Sequence, residues 1–170
     1  NTTGTLQTAV GTNALKNTTG GQNTGFGYNA LCTNTSGQCN TAVGVNSLCS
    51  NTSALYNTAV GHSSMLKTTT GGFNTALGLY SMACNTEGSR NIAIGYESSL
   101  NNTTGCKNIS IGLQALRSNT TGEQNTALGF VSLFANTTAS NNVAVGSCSL
   151  CANTTGTQNI AVGNNTLDAN

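Results

Sequence analysis

Apolar and polar positions return in one fixed order along the whole chain. A Thr or β-branched residue comes first, then a small residue, an apolar residue and Gly; four places after the Gly stands Leu or Met. The Gly of this motif falls at Gly11, Gly27, Gly44, Gly61, Gly78, Gly95, Gly112, Gly129, Gly146 and Gly163, the first interval being 16 residues and the other eight 17. Counted from its first Asn, the repeat reads N-T-A-V-G-x-x-A/S-L-x-x-N-T-T-G-x-Q. Position 3 is small throughout, position 4 apolar throughout, position 8 small again, and position 9 Leu or Met except at Ser99.

A period of 17 is too short for a helix pair, whose repeats run to about 33 residues or more. It suits one coil of a β-solenoid with two short strands, because β-branched residues favour strands and two Gly columns free the backbone at corners. The pattern predicts an all-β protein: one parallel β-solenoid (β-roll) of ten turns of about 17 residues, over 1–170 as a single domain. Coils stacked at roughly 4.8 Å make a rod of about 48 Å. Like residues then lie above one another, so Asn and Thr columns become ladders that hydrogen-bond along the axis.

Side chains alternate across a strand, so positions 2 and 4 share one face and position 3 the other. Two arrangements follow. Small residues at positions 3 and 8 fit a narrow lumen, which sends positions 2 and 4 outward to be covered by further chains. Alternatively, positions 2 and 4 face inward in a monomeric rod and the small residues form a flat exterior. The few apolar side chains per turn favour extra burial between chains.

Composition narrows the function classes. Nine residues are charged, and the net charge is +1. Nucleic acid and anionic membrane need clustered Lys and Arg, so neither is expected as a partner. No apolar run approaches the roughly 18 residues that span a bilayer. Low charge with abundant Asn and Thr resembles disorder, but disordered chains lack regularly spaced apolar residues. The chain opens with Asn1 and no signal peptide, and Asn1 and Asn170 hold the same repeat position. It reads as a section of a longer fibre, or as a subunit stacking head to tail.

No catalytic chemistry emerges, so no enzyme and no cofactor is expected. His62 sits at position 6, a column shared with Tyr28, Leu79, Tyr96 and Phe130, where packing or surface roles fit best. Glu87, Glu97 and Glu123 occupy different repeat positions and form no converging acid/base pair. Thr70-Gly71-Gly72 lacks the Lys-Ser/Thr of a phosphate loop. Calcium nonapeptides need Asp, and Asp168 stands alone.

Seven cysteines are many for this length. Cys32 and Cys49 share position 10 one turn apart, within disulfide reach when coils stack, and are expected to staple the axis. Cys148 and Cys151 form a lone Cys-x-x-Cys without the two further ligands zinc needs; a local disulfide or two buried thiols is expected. Cys39, Cys84 and Cys106 lie at separate positions, and the odd total leaves at least one thiol free or intermolecular. Disulfides suit an oxidising exterior.

Asn-x-Ser/Thr sequons recur at Asn1, Asn17, Asn34, Asn51, Asn102, Asn119, Asn136 and Asn153, with others at Asn101, Asn108 and Asn164. If these lie at solvent-facing corners they are N-glycosylation candidates; the repeat's own composition generates the same sequons without modification.

Asn91-Ile92-Ala93-Ile94-Gly95, Asn142-Val143-Ala144-Val145-Gly146 and Asn40-Thr41-Ala42-Val43-Gly44 resemble the head repeats of trimeric autotransporter adhesins. Ser98 and Ser149, three places after each Gly, fit that pattern. Similar Asn-Thr-Ala-Val-Gly arrays occur in fibre proteins of large viruses and phages. The resemblance implies a left-handed β-roll, three chains about one axis, and extracellular display on a cell or virion with a host-surface or matrix receptor. The repeat here is longer than in those heads by its Asn-Thr-Thr-Gly stretch, and no ligand-binding residue carries over. The sequence thus reads as a structural fibre, filament or adhesin head that self-associates. An ice-binding solenoid is the alternative, although the spaced Thr-x-Thr pattern is missing.

Overall fold

A computed structural model describes residues 4–168. Ten three-residue strands run in chain order, from β1 (Thr8–Val10) and β2 (Thr24–Phe26) through β6 (Ile92–Ile94) and β7 (Ile109–Ile111) to β10 (Ile160–Val162). They form a single parallel sheet in sequence order. Each strand pairs with the residues one repeat away, as Thr41, Ala42 and Val43 pair with Thr58, Ala59 and Val60. Successive strands are joined by one full coil, and nine such coils make a rod about 43 Å long. The β-solenoid is the fold that the period requires.

The strands settle which face is inside. Ala42, Ala59, Ala76, Ala93, Ser110, Ala127 and Ala144 at position 3 are completely buried, whereas positions 2 and 4 are half-buried or exposed. The small-lumen arrangement holds, and the inward placement of positions 2 and 4 does not. Opposite the Ala column stand Leu15, Leu31, Leu48, Met65, Met82, Leu116, Leu133 and Leu150 of position 9, also fully buried. A small residue facing a Leu or Met side chain in nearly every layer fills a lumen too narrow for two large residues. Position 8 ties the layers together: Ser47, Ser64, Ser81 and Ser149 each donate a hydroxyl to a position-3 carbonyl 12 residues on, at 2.8–3.3 Å.

One detail differs from the expectation. The second strand of each coil is absent from the described residues, and its place is taken by turns and bends. The cause lies in the backbone: positions 7, 9 and 17 are left-handed in every turn, as at Asn46 (φ 55°), Leu48 (φ 48°) and Tyr56 (φ 59°). Such residues cannot continue a strand, and for non-Gly side chains they are costly, yet they close the coil while keeping it stacked. Leu48 N–H, for example, still donates to Ser64 O at 3.1 Å. The position-5 Gly column is stricter. Gly61 has φ +134°, and a Cβ there would lie 2.4 Å from the carbonyl oxygen of Gly78 in the next coil.

The apolar interior is continuous within each of two blocks, from Leu15 to Ala93 and from Ala115 to Ala161. At the seam between them, Ser99 replaces the position-9 Leu and Ser110 replaces the position-3 Ala. The hydroxyls of Ser98 and Ser99 both meet that of Ser110 at 2.8 Å.

Candidate functional site

Two asparagine ladders line the interior, and they account for most of the Asn excess. Position 1 forms the first. Each backbone N–H donates to the Oδ1 of the Asn one coil below, as Asn57 to Asn40, Asn91 to Asn74 and Asn108 to Asn91, all at 2.9 Å. From Asn23 to Asn142 the Nδ2 donates to the position-15 carbonyl, as Asn57 to Gly71 and Asn91 to Gly105, again at 2.9 Å. Only Asn supplies an acceptor and a donor at this reach. Gln7, one methylene longer, leaves its Oε1 without a partner, and Asp would stack carboxylates at about 4.8 Å with no donor to offer.

Position 12 forms the second ladder. Here Nδ2 donates to the Oδ1 of the Asn below, as Asn51 to Asn34 at 2.7 Å and Asn119 to Asn102 at 2.8 Å. It also reaches the carbonyl three residues on, as Asn119 to Gly122 at 3.0 Å. Thr68 interrupts this ladder and accepts from Asn85 Nδ2 through its hydroxyl at 3.4 Å.

This geometry corrects the expectation for the sequons. Asn34, Asn51, Asn102, Asn119, Asn136 and Asn153 are buried, and their Nδ2 atoms, where a glycan would attach, are hydrogen-bonded within the lumen. The folded rod therefore has no room for sugar at these six. Asn108 is buried in the first ladder. Asn17 is one place out of phase, since the short first coil puts Thr18 inside and Asn17 outside. Asn17 and Asn164 are exposed and Asn101 half-buried; Asn1 lies outside the described residues. Sequence alone misread this because Asn in Asn-Thr-Thr-Gly has the composition of a surface turn.

The cysteines are unevenly arranged. Cys148 and Cys151 are joined in a disulfide with Cα atoms 4.9 Å apart, half-buried on the outside of the ninth coil. Cys32 and Cys49 are brought together, Sγ to Sγ 2.9 Å, but remain thiols rather than the staple expected between them. Burial and the hydrogen bond with Cys32 push the Cys49 thiol up to about 12, so it stays protonated at neutral pH. Cys39, Cys84 and Cys106 are free and half-buried.

The outer surface carries the remaining chemistry. Positions 1–6 hold no charged residue in any turn. Among the exposed apolar side chains of the strand face are Val10, Phe26, Leu77, Ile111 and Val162 at position 4. Beside them, position 6 presents Tyr28, Val45, Leu79, Tyr96, Leu113 and Phe130, all exposed. His62 is exposed in the same column, its ring meeting Tyr80 edge-on at 5.7 Å. Elsewhere Tyr56 stacks on Phe73 at 4.9 Å. Glu97 receives Arg117 Nε at 2.8 Å and Gln114 Nε2 at 2.9 Å, which hold its carboxyl below the usual range. A hydrogen bond to Glu97 raises the Tyr96 phenol.

Among the described residues no three His, Cys, Asp or Glu side chains converge as a metal site, and no helix is long and apolar enough to cross a membrane. No family model matches the chain, and no curated protein or solved structure matches it either.

Proposed function

We propose that this β-solenoid is a structural rod: a fibre, filament or adhesin-head segment displayed outside a cell or on a virion, where it self-associates. The observation that carries this reading is the division of labour between inside and outside. The interior polar groups bond chiefly to one another and to neighbouring coils, while the strand face is a flat, uncharged row of Thr, Val, Ile, Leu and Phe along ten strands. A continuous apolar face on a rod is the usual mark of an interaction surface, and copies of one rod match each other in length and spacing. Three copies around a common axis, as the adhesin resemblance implies, cover the position-2 and position-4 rows of each; end-to-end growth uses the open edges of β1 and β10. No catalytic step is assigned to the rod, and a host-surface or matrix receptor is the partner such a head engages.

Sedimentation velocity on the purified chain tests the assembly. A trimer or longer filament is expected, and Leu77→Lys with Leu128→Lys returns it to monomer with the fold retained by circular dichroism. A wild-type chain that stays monomeric at high concentration overturns lateral self-association.

One observation favours the ice-binding alternative: Thr8, Thr24, Thr41, Thr58 and Thr75 stand in register at position 2 of the first five strands. Their neighbours at position 4 are apolar, so the row is single. Several of the position-13 hydroxyls, including those of Thr35, Thr52 and Thr86, are already bonded to the carbonyl of the coil above. Measurable thermal hysteresis would favour this alternative over the rod.

A further inference from the structure

The position-6 column has an order that the repeat does not require. Reading up the rod it runs Tyr28, Val45, His62, Leu79, Tyr96, Leu113, Phe130, so a flat ring alternates with an aliphatic side chain through seven consecutive coils. The column is straight, because position 7 N–H donates to the position-6 carbonyl one coil below in an unbroken series. Asn46 donates to Tyr28, Tyr80 to His62, Gln114 to Tyr96 and Cys148 to Phe130, at 2.9–3.1 Å. The rings therefore recur every second coil, about 9.6 Å apart, and Tyr28, Tyr96 and Phe130 are 51%, 41% and 54% exposed.

We propose that this row binds an extended, uncharged β-1,4-linked polysaccharide lying along the rod. In such a chain every second sugar presents the same face, so like faces recur at the length of a disaccharide, which is close to two coils of this solenoid. The C–H face of a pyranose is apolar and stacks on an aromatic ring, and the aliphatic residues between leave space for the alternate sugar. The lack of charge in positions 1–6 suits a neutral polymer and disfavours nucleic acid or an anionic glycan. At the row's edge stand the half-buried amides of Asn29, Asn46 and Gln114 at position 7, Asn29 donating to Asn46 and Gln114 to Glu97. The inference names a partner class for the displayed rod proposed above, but the binding itself needs only the folded solenoid.

The test is a depletion isotherm of the full chain on microcrystalline cellulose and on chitin, at low and high salt, with sedimentation run separately to follow assembly. Saturable binding to either polymer, unchanged by salt, is expected. Tyr28→Ala with Tyr96→Ala and Phe130→Ala should weaken it by about tenfold or more, while Leu79→Ala with Leu113→Ala should change it far less. Circular dichroism confirms the fold of each variant, and single Tyr28→Ala and Phe130→Ala variants replace the triple one if it misfolds. Absence of binding to both polymers, equal losses in the ring and aliphatic variants, or binding abolished by salt would each overturn the proposal. Assembly without polysaccharide binding would leave the rod reading standing and remove this one.

Discussion

The two asparagine ladders use the same residue in the same lumen, yet the chain treats them differently. Position 1 is Asn in nine turns and Gln7 in the first; position 12 admits Thr18 and Thr68. The difference follows from what each side chain bonds. A position-1 Asn closes two backbone groups of neighbouring coils, an N–H through Oδ1 and a C=O through Nδ2. A position-12 Asn also reaches a backbone carbonyl, but its Oδ1 accepts the side-chain amide of the next Asn rather than a backbone N–H of the next coil, so a rung can be exchanged for a hydroxyl and the neighbour still finds an acceptor. A side chain that satisfies buried backbone is hard to replace, because backbone groups cannot be mutated away with it.

The largest effect should come from breaking position 1. Asn91→Leu leaves the Asn108 N–H unpaired in the lumen, while the Gly105 carbonyl keeps the Asn102 Nδ2 at 3.0 Å; the orphaned N–H costs roughly 1–3 kcal/mol. A loss of about 1–3 kcal/mol in urea unfolding is expected; a loss equal to that of a position-12 variant would erase the distinction. Next comes Asn119→Thr, which copies Thr68: the hydroxyl still accepts from Asn136, but the donor to Asn102 and Gly122 goes. About 1–2 kcal/mol is expected. The reverse change sharpens the comparison, since Thr68→Asn completes the second ladder between Asn51 and Asn85 and should stabilise by about 0.5–1.5 kcal/mol, read as a higher Tm.

The smallest effect belongs to a pair outside both ladders. Arg117 and Gln114 hold the Glu97 carboxyl below its ordinary value. Its contribution is therefore present above the unfolded carboxylate pKa and lost as pH falls through the lowered native one. Screening by solvent keeps it under about 1 kcal/mol. A Glu97→Gln variant should lose only that small part of the acid-side slope in a plot of Tm against pH.

Much of this molecule was legible before its structure. The 17-residue interval gives the stacking, and the small position-3 column narrows the inner face to two arrangements, between which burial decides; the Gly column reads as a corner, and the structure adds that the next coil presses closest there. The burial of Asn34 and Asn119 was not legible, because Asn serves a surface turn and an interior ladder equally well and only the coil's cross-section distinguishes them. Nor were the left-handed Leu48 and Met65, whose conformation runs against their intrinsic preference and is imposed by closing a coil so small. The short first coil hid a further point: counting by motif grouped Asn17 with the sequons at Asn34 and Asn51, whose column the chain fills with Thr18.

The meeting of Ser98, Ser99 and Ser110 sets how such a rod fails. In a stack where each layer is held only by its neighbours, a plane that swaps a leucine side chain and an alanine methyl for two hydroxyls is the easiest place to cleave. Under load, or under a protease, the molecule should part there into an amino-terminal block of about six layers and a carboxy-terminal block of about four, each keeping an oily centre of its own.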